Sequence, residues 1–127
     1  MPKMNAVPRS KQLQKTQKAF NAYIRKRDQD KGCISCHSYK IDHASHYFAA
    51  GKYTALRFHE DNVHGSCLRC NYFMHGNLVN YRKNLIGRIG QERVEILEGL
   101  ALRIVKKWTT LELQIIEKEY KTKIKSL

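Results

Sequence analysis

Two Cys-x-x-Cys pairs constrain this chain more than any other feature: Cys33-Ile-Ser-Cys36 and Cys67-Leu-Arg-Cys70, with thirty residues between them. Each pair puts two thiolates on one side of a tight turn, and two such turns close a tetrahedron around zinc. Two disulfides are the alternative use of four cysteines. An intracellular chain keeps its thiols reduced, and nothing here points to export. Residues 1–10 carry basic side chains but no apolar run, which predicts no secretory signal. A redox Cys-x-x-Cys calls for one pair on a βαβ pattern, and here there are two. The expectation is one structural Zn²⁺ held by Cys33, Cys36, Cys67 and Cys70.

The chain has 127 residues, the size of one domain, and a net charge of +13. That charge makes a polyanion the expected partner. No segment approaches the roughly 18 apolar residues that a membrane span needs, so no membrane partner is expected. The charge is uneven. Residues 1–32 hold nine basic and two acidic side chains, residues 33–76 four and three, and residues 77–127 eleven and six. The nearly neutral middle contains all six histidines and all four cysteines. The chain therefore divides into a basic N-terminal helical arm (1–32), a zinc-knuckle core (33–76) and a helical tail (77–127), within a single domain.

The first ten residues, with Pro2 and Pro8, have no periodicity and read as loose. From Ser10 to about Arg27, Leu13, Phe20, Tyr23 and Ile24 recur at helical spacing, with lysines and arginines around them. This helix either packs on the core or contacts DNA phosphates, and the two roles are compatible. Leu78, Tyr81, Leu85, Ile86 and Ile89 predict a second helix stopped by Gly90. Val94, Leu97, Ala101, Ile104, Val105 and Trp108 predict a third. Thr109 and Glu112 have capping-box spacing before a fourth stripe of Leu113, Ile116, Tyr120, Ile124 and Leu127. These stripes serve the core or a subunit contact. Residues 41–49 suit a short strand or hairpin arm. Cys67 to His75 suits a short helix capped by Ser66 and ended by Gly76.

Asp42, His43, His46, Asn62, His64, Asn71 and His75 lie between and beside the knuckles. On a helix, Asn71 and His75 are i and i+4 and share a face. A strand carrying His43 and His46 against that face would set a histidine pair opposite an Asn/His pair, around room for a second ion. Phosphodiester hydrolysis uses such parts. A neutral histidine takes a proton from water, and a hard divalent cation stabilises the charge that develops. His37 and His64 flank the knuckles and are expected to bond zinc thiolates or water. Lys52, Arg57, Arg69, Arg82 and Lys83 lie near this region in sequence and are candidate phosphate contacts.

The run Cys33-x-x-Cys36, Asp42-His43-Ala44-Ser45-His46-Tyr47-Phe48, Leu56-Arg57-Phe58-x-Glu60-Asp61-Asn62-Val63-His64-Gly65-Ser66-Cys67-x-x-Cys70-Asn71, Gly76-Asn77 and Tyr81-Arg82 resembles the phage NinG (Rap) recombination endonucleases of lambda-type phages. The resemblance runs from about Cys33 to Tyr120. The wider group is the ββα-metal, or HNH-like, nucleases, including the endonuclease VII-like proteins. The resemblance implies a mostly helical α+β fold: a small zinc-stabilised ββα-metal (His-Me finger) core with an N-terminal helix and C-terminal helices. It implies His46 as general base, Asn71 as a ligand of a catalytic Mg²⁺ or Mn²⁺, and Asn62 as the residue that orients the loop. The further ligand is His43, three residues before the base, or Asp42; His75 is a candidate from its spacing. A histidine ligand shifts preference toward Mn²⁺. Ser45 stands where the family pattern has glycine.

The function these readings imply is a metal-dependent, structure-selective DNA endonuclease acting on Holliday junctions, D-loops and related branched DNA, in the host cytoplasm and among phage recombination proteins. Symmetric cutting of a four-way junction favours a homodimer. The alternative is a non-catalytic zinc-knuckle DNA-binding accessory protein. It shares the zinc and the charge but does not need His46 and Asn71 to converge. An RNA-binding zinc protein is a third reading, without aromatics grouped in an RNA-module pattern.

Overall fold

The computed structural model describes residues 7–127. The expectation of a loose start thus lies, for residues 1–6, outside the described residues. Helix α1 (Arg9–Asp28) begins after Pro8 and contains neither glycine nor proline, so nothing interrupts its twenty residues. It buries Phe20, Tyr23 and Ile24, and also the polar Gln12 and Thr16. Those two polar residues are satisfied by helix α4 (Thr110–Lys123). Gln12 donates to the Glu117 carboxylate at 2.7 Å, and the Thr16 hydroxyl donates to the Leu113 carbonyl at 2.7 Å. Between the helices, Phe20 meets Tyr120 at 4.7 Å and Phe58 at 5.7 Å, edge to face, and Phe58 meets Trp108 at 5.3 Å. Helix α4 opens on the capping box: Thr109 accepts from the Glu112 N–H, and the Glu112 carboxylate accepts from the Thr109 N–H. So α1 takes its packing role, with Lys11, Lys15, Lys18 and Lys26 left on the solvent side.

Strands β1 (His43–His46) and β2 (Val63–Ser66) form an antiparallel pair, with His43 opposite Ser66 and His46 opposite Val63. Ala44 and Val63 face the aromatic layer of α1 and α4. A second apolar cluster joins Ile34, Leu56, Tyr81, Leu85, Val94 and Leu97. It lies under helices α2 (Leu78–Ile89) and α3 (Gln91–Arg103), which are joined at Gly90 with φ +94°. The expected stripe through Ile104 and Val105 does not hold. Helix α3 ends at Arg103, and those side chains stand 45% and 90% exposed on extended chain. This lets Trp108 reach the first cluster, its indole N–H donating to the Thr54 carbonyl at 2.9 Å. No helix among the described residues is long and apolar enough to cross a membrane.

The expected helix over Cys67–His75 is instead a five-residue π-type turn, Arg69–Phe73. His75, Gly76 and Asn77 follow with φ of 48°, 88° and 51°, a left-handed run that no helix survives. Ser66 does not cap it. Its buried hydroxyl has no partner among the described residues, and the Leu68 N–H donates to Asp42 Oδ2 at 2.8 Å instead. Where α1 ends, Asp28 is fully buried. It accepts from Arg27 at 2.7 and 3.0 Å and from the Gly65 N–H at 2.8 Å, tying the helix to β2.

Candidate functional site

The two Cys-x-x-Cys turns come together. The sulfurs of Cys33, Cys36, Cys67 and Cys70 lie within 4.8 Å of one another, and all four thiols are free. Cys36 and Cys67 are 3.7 Å apart. A tetrahedron with Zn–S near 2.3 Å has edges of about 3.8 Å, whereas a disulfide needs about 2 Å. Burial pushes the Cys70 thiol up to about 12, and the thiols of Cys36 and Cys67 push the same way against a hydrogen bond from Asn77. Four thiolates this close repel one another unless a cation sits among them, so the donor set fits a structural metal such as zinc. Among the described residues it is the only group of three or more His, Cys, Asp or Glu ligand atoms close enough to share an ion.

Beside it opens a cavity of about 940 Å³, walled by Tyr47, Phe48, Tyr53 and Val79 and by the polar His46, Asn71, His75, Arg82 and Lys83. His46 ends β1, and its Nε2 lies 3.0 Å from the Arg57 carbonyl. A carbonyl only accepts, so Nε2 carries the hydrogen and Nδ1 of the neutral ring is the free base. Burial lowers the His46 pKa, and the Arg57 charge adds to that against the carbonyl bond. The ring is therefore neutral at pH 7. Asn62 is fully buried behind it. Its amide donates to the Phe48 and Leu56 carbonyls at 3.0 Å, and its oxygen accepts from the Phe48 N–H at 2.8 Å, pinning the loop that follows β1.

His43 and Asp42 do not line this cavity. The expected histidine pair on one face is ruled out by strand alternation, because His43 and His46 are three apart on β1 and point to opposite sides. His43 Nε2 is buried with no partner among the described residues. The Asp42 carboxylate is occupied by the Leu68 N–H, with Lys40 at 3.9 Å. Of the candidate phosphate contacts, Arg82 and Lys83 reach the cavity wall. Arg82 pairs with Glu98 at 2.8 and 3.2 Å, and the Tyr47 hydroxyl donates to the same carboxylate. Arg57 turns its guanidinium to Gln17, at 3.1 Å. Lys52 lies over the Tyr53 ring, and Arg69 is exposed on the π-type turn.

His64 does not bond the thiolates. It is buried against Arg27, Asp28 and the Asp61 carbonyl, and burial, reinforced by the Arg27 charge, pushes its pKa down to about 4. It is a structural hinge pin between α1 and β2. The role of the Arg57 backbone, as opposed to its side chain, left no mark in the sequence. Asn77, which donates to Cys70 Sγ at 3.5 Å, did leave one: a Gly-Asn turn signal just past the second knuckle.

No solved structure matches this chain. It is 42% identical over 127 residues to "Protein ninG" of Escherichia phage lambda, across 98% of this chain and 61% of that relative. It is equally similar to "Protein ninG" of Salmonella phage P22, at 42% over 98% of this chain and 62% of the relative, and 40% identical to that of Enterobacteria phage H19B. The chain thus spans about three fifths of the length of the curated relatives it matches. The family model described as "Bacteriophage Lambda NinG protein" matches residues 1–127, so the chain belongs to the NinG family of phage proteins.

Proposed function

We propose that this chain is a metal-dependent, structure-selective DNA endonuclease that cuts Holliday junctions, D-loops and related branched DNA. The observation that carries the reading is His46: a neutral imidazole with its Nε2–H fixed on the Arg57 carbonyl, sharing a cavity wall with Asn71 and His75. The antiparallel pair β1–β2 precedes the turn that bears Asn71, the order of elements in a ββα-metal core, with a π-type turn in place of that core's α-helix. In this reading His46 Nδ1 takes the proton as the water oxygen bonds to phosphorus. The bond from phosphorus to the leaving strand's oxygen breaks, and solvent protonates that oxygen. Asn62 keeps the loop, and with it the Arg57 carbonyl, in register with the imidazole. Asn71 and His75, which share the cavity wall with His46, would hold Mg²⁺ or Mn²⁺; His43 and Asp42 lie away from that wall. The bound ion would supply charge stabilisation at the phosphate and leaving oxygen. Zinc on the four cysteines holds the scaffold. Lys83 and the remaining excess positive charge hold DNA phosphates. The chain works in the host cytoplasm beside phage recombination proteins, and a homodimer supplies two cuts.

The test is incubation of the purified protein with labelled four-way, forked and linear DNA, with and without Mg²⁺ or Mn²⁺. Branched DNA is cut only with the ion. His46→Ala lowers the cleavage rate by about 10²–10⁴-fold while zinc content and junction binding stay unchanged. Junction binding without cleavage under any divalent ion returns the accessory-protein reading.

A further inference from the structure

The turn that brings Asn71 and His75 to the cavity also carries two aromatic side chains that the proposed reaction does not use. Tyr72 and Phe73 are 70% and 68% exposed, with ring centroids 5.1 Å apart at 73°. Rings of this size leave a large apolar surface wet, and two together form a patch that begs a cover. They do not sit on slack chain. The Leu68 N–H is held by Asp42, the Met74 N–H by the Arg69 carbonyl at 3.1 Å and the Gly76 N–H by the Cys70 carbonyl at 2.9 Å, while Cys70 belongs to the thiol cluster. The rings are therefore presented on a fixed platform directly after Asn71 and shortly before His75, both of which line the cavity, as does the exposed Val79.

Two facts choose the occupant. The net charge of +13, with Arg69 exposed on the same turn and Lys83 on the cavity wall, favours a polyanion over a protein surface. Bases inside a duplex are stacked on both faces and offer nothing to an aromatic ring. A base at a branch point has lost a neighbour and has a face free. We propose that Tyr72 and Phe73 stack on bases left open at a DNA branch point, and so give the site its preference for branched over continuous duplex. This rests on the proposed action on branched DNA but not on cleavage.

The experiment uses the zinc-loaded full chain without added Mg²⁺ or Mn²⁺, so that nothing is cut. Affinity is measured for a four-way junction and for a duplex of equal length. The double variant Tyr72→Ala, Phe73→Ala is expected to lose roughly tenfold in junction affinity, while duplex affinity stays within about twofold. In wild-type protein, 5-iodouracil at the crossover is expected to photo-crosslink to Tyr72 or Phe73, read by peptide mass mapping. An equal loss on both DNAs, crosslinks only elsewhere, or a wild type without junction preference overturns the proposal. An unchanged affinity ratio in the variant also overturns it, and assigns the rings to a protein contact. A protein that passes this test but never cleaves fails only the endonuclease reading.

Discussion

Between α1 and α4 the molecule is closed by Phe20, Tyr120, Phe58 and Trp108 in edge contact. Around the two Cys-x-x-Cys turns it is closed by four neighbouring sulfurs, of which Cys33, Cys67 and Cys70 form a buried cluster of their own and Cys36 is exposed. The first region contributes helices whose outer faces are free to be basic. The second must expose a turn, a cavity and polar side chains such as Asn71 and His75, which leaves little apolar surface to bury. A metal ion held by these cysteines would substitute there for a hydrophobic core, as in small metal-bound modules. Between them runs an ionic seam, in which Arg27, Asp28 and His64 join the end of α1 to β2.

This contrast can be broken most severely at the sulfurs. Cys67→Ala, or a strong chelator, is expected to unfold the knuckle region outright, since zinc binding to such sites is worth about 10–16 kcal/mol of folding free energy. Loss of dispersed amide signals there together with loss of one zinc per chain checks it, and a folded, zinc-free variant refutes it. Phe20→Ala attacks the other region. It should cost about 3–5 kcal/mol in denaturant unfolding with the zinc stoichiometry of the folded protein unchanged. Acid attacks the seam. The folded pKa of His64, about 4, lies below its ordinary value near 6.5, so the unfolded chain takes up a proton that the fold refuses. Stability is level above pH 6.5 and falls by about 3 kcal/mol on descending to pH 4. Asp28, held below its usual range by Arg27 despite its burial, extends the loss further down. His64→Gln should flatten the slope between pH 6.5 and 4, and an unaltered slope would place the titration elsewhere. The smallest effect is Thr109→Ala at the start of α4, about 1 kcal/mol from the lost cap, read as a small drop in thermal midpoint with the metal still bound.

Periodicity made α1, α2 and the capping box of α4 legible, because each is decided by residues within a few positions of one another. The cysteine spacing was legible for the same reason: the chemistry of the ion dictates it. What could not be read is non-local. Helix α3 ends early because Trp108 is drawn to Thr54, more than fifty residues away in sequence. The π-type turn at Arg69–Phe73 is followed by three left-handed residues, and the Leu68 N–H before it is held by Asp42, twenty-six positions upstream, not by Ser66. His64 looked like a companion of the knuckle beside it, and its real partners, Arg27 and Asp28, lie 36 or more positions upstream. Of the site, His46, Asn71 and His75 do meet at one cavity, whereas His43 and His46 are separated by the pleat of a four-residue strand.

The pairing of the first helix with the last has a consequence for the order in which the molecule is made. Thr16 waits for Leu113 and Gln12 for Glu117, separations of 97 and 105 residues. During synthesis α1 emerges with its aromatic face unmatched and stays so until Leu113–Tyr120 of α4 have left the ribosome. The four sulfurs span only residues 33 to 70 and can gather an ion long before that. Capture of an ion by these cysteines would therefore precede closure of the aromatic layer, and a chain made without it would bring α1 and α4 together with no formed middle to close upon.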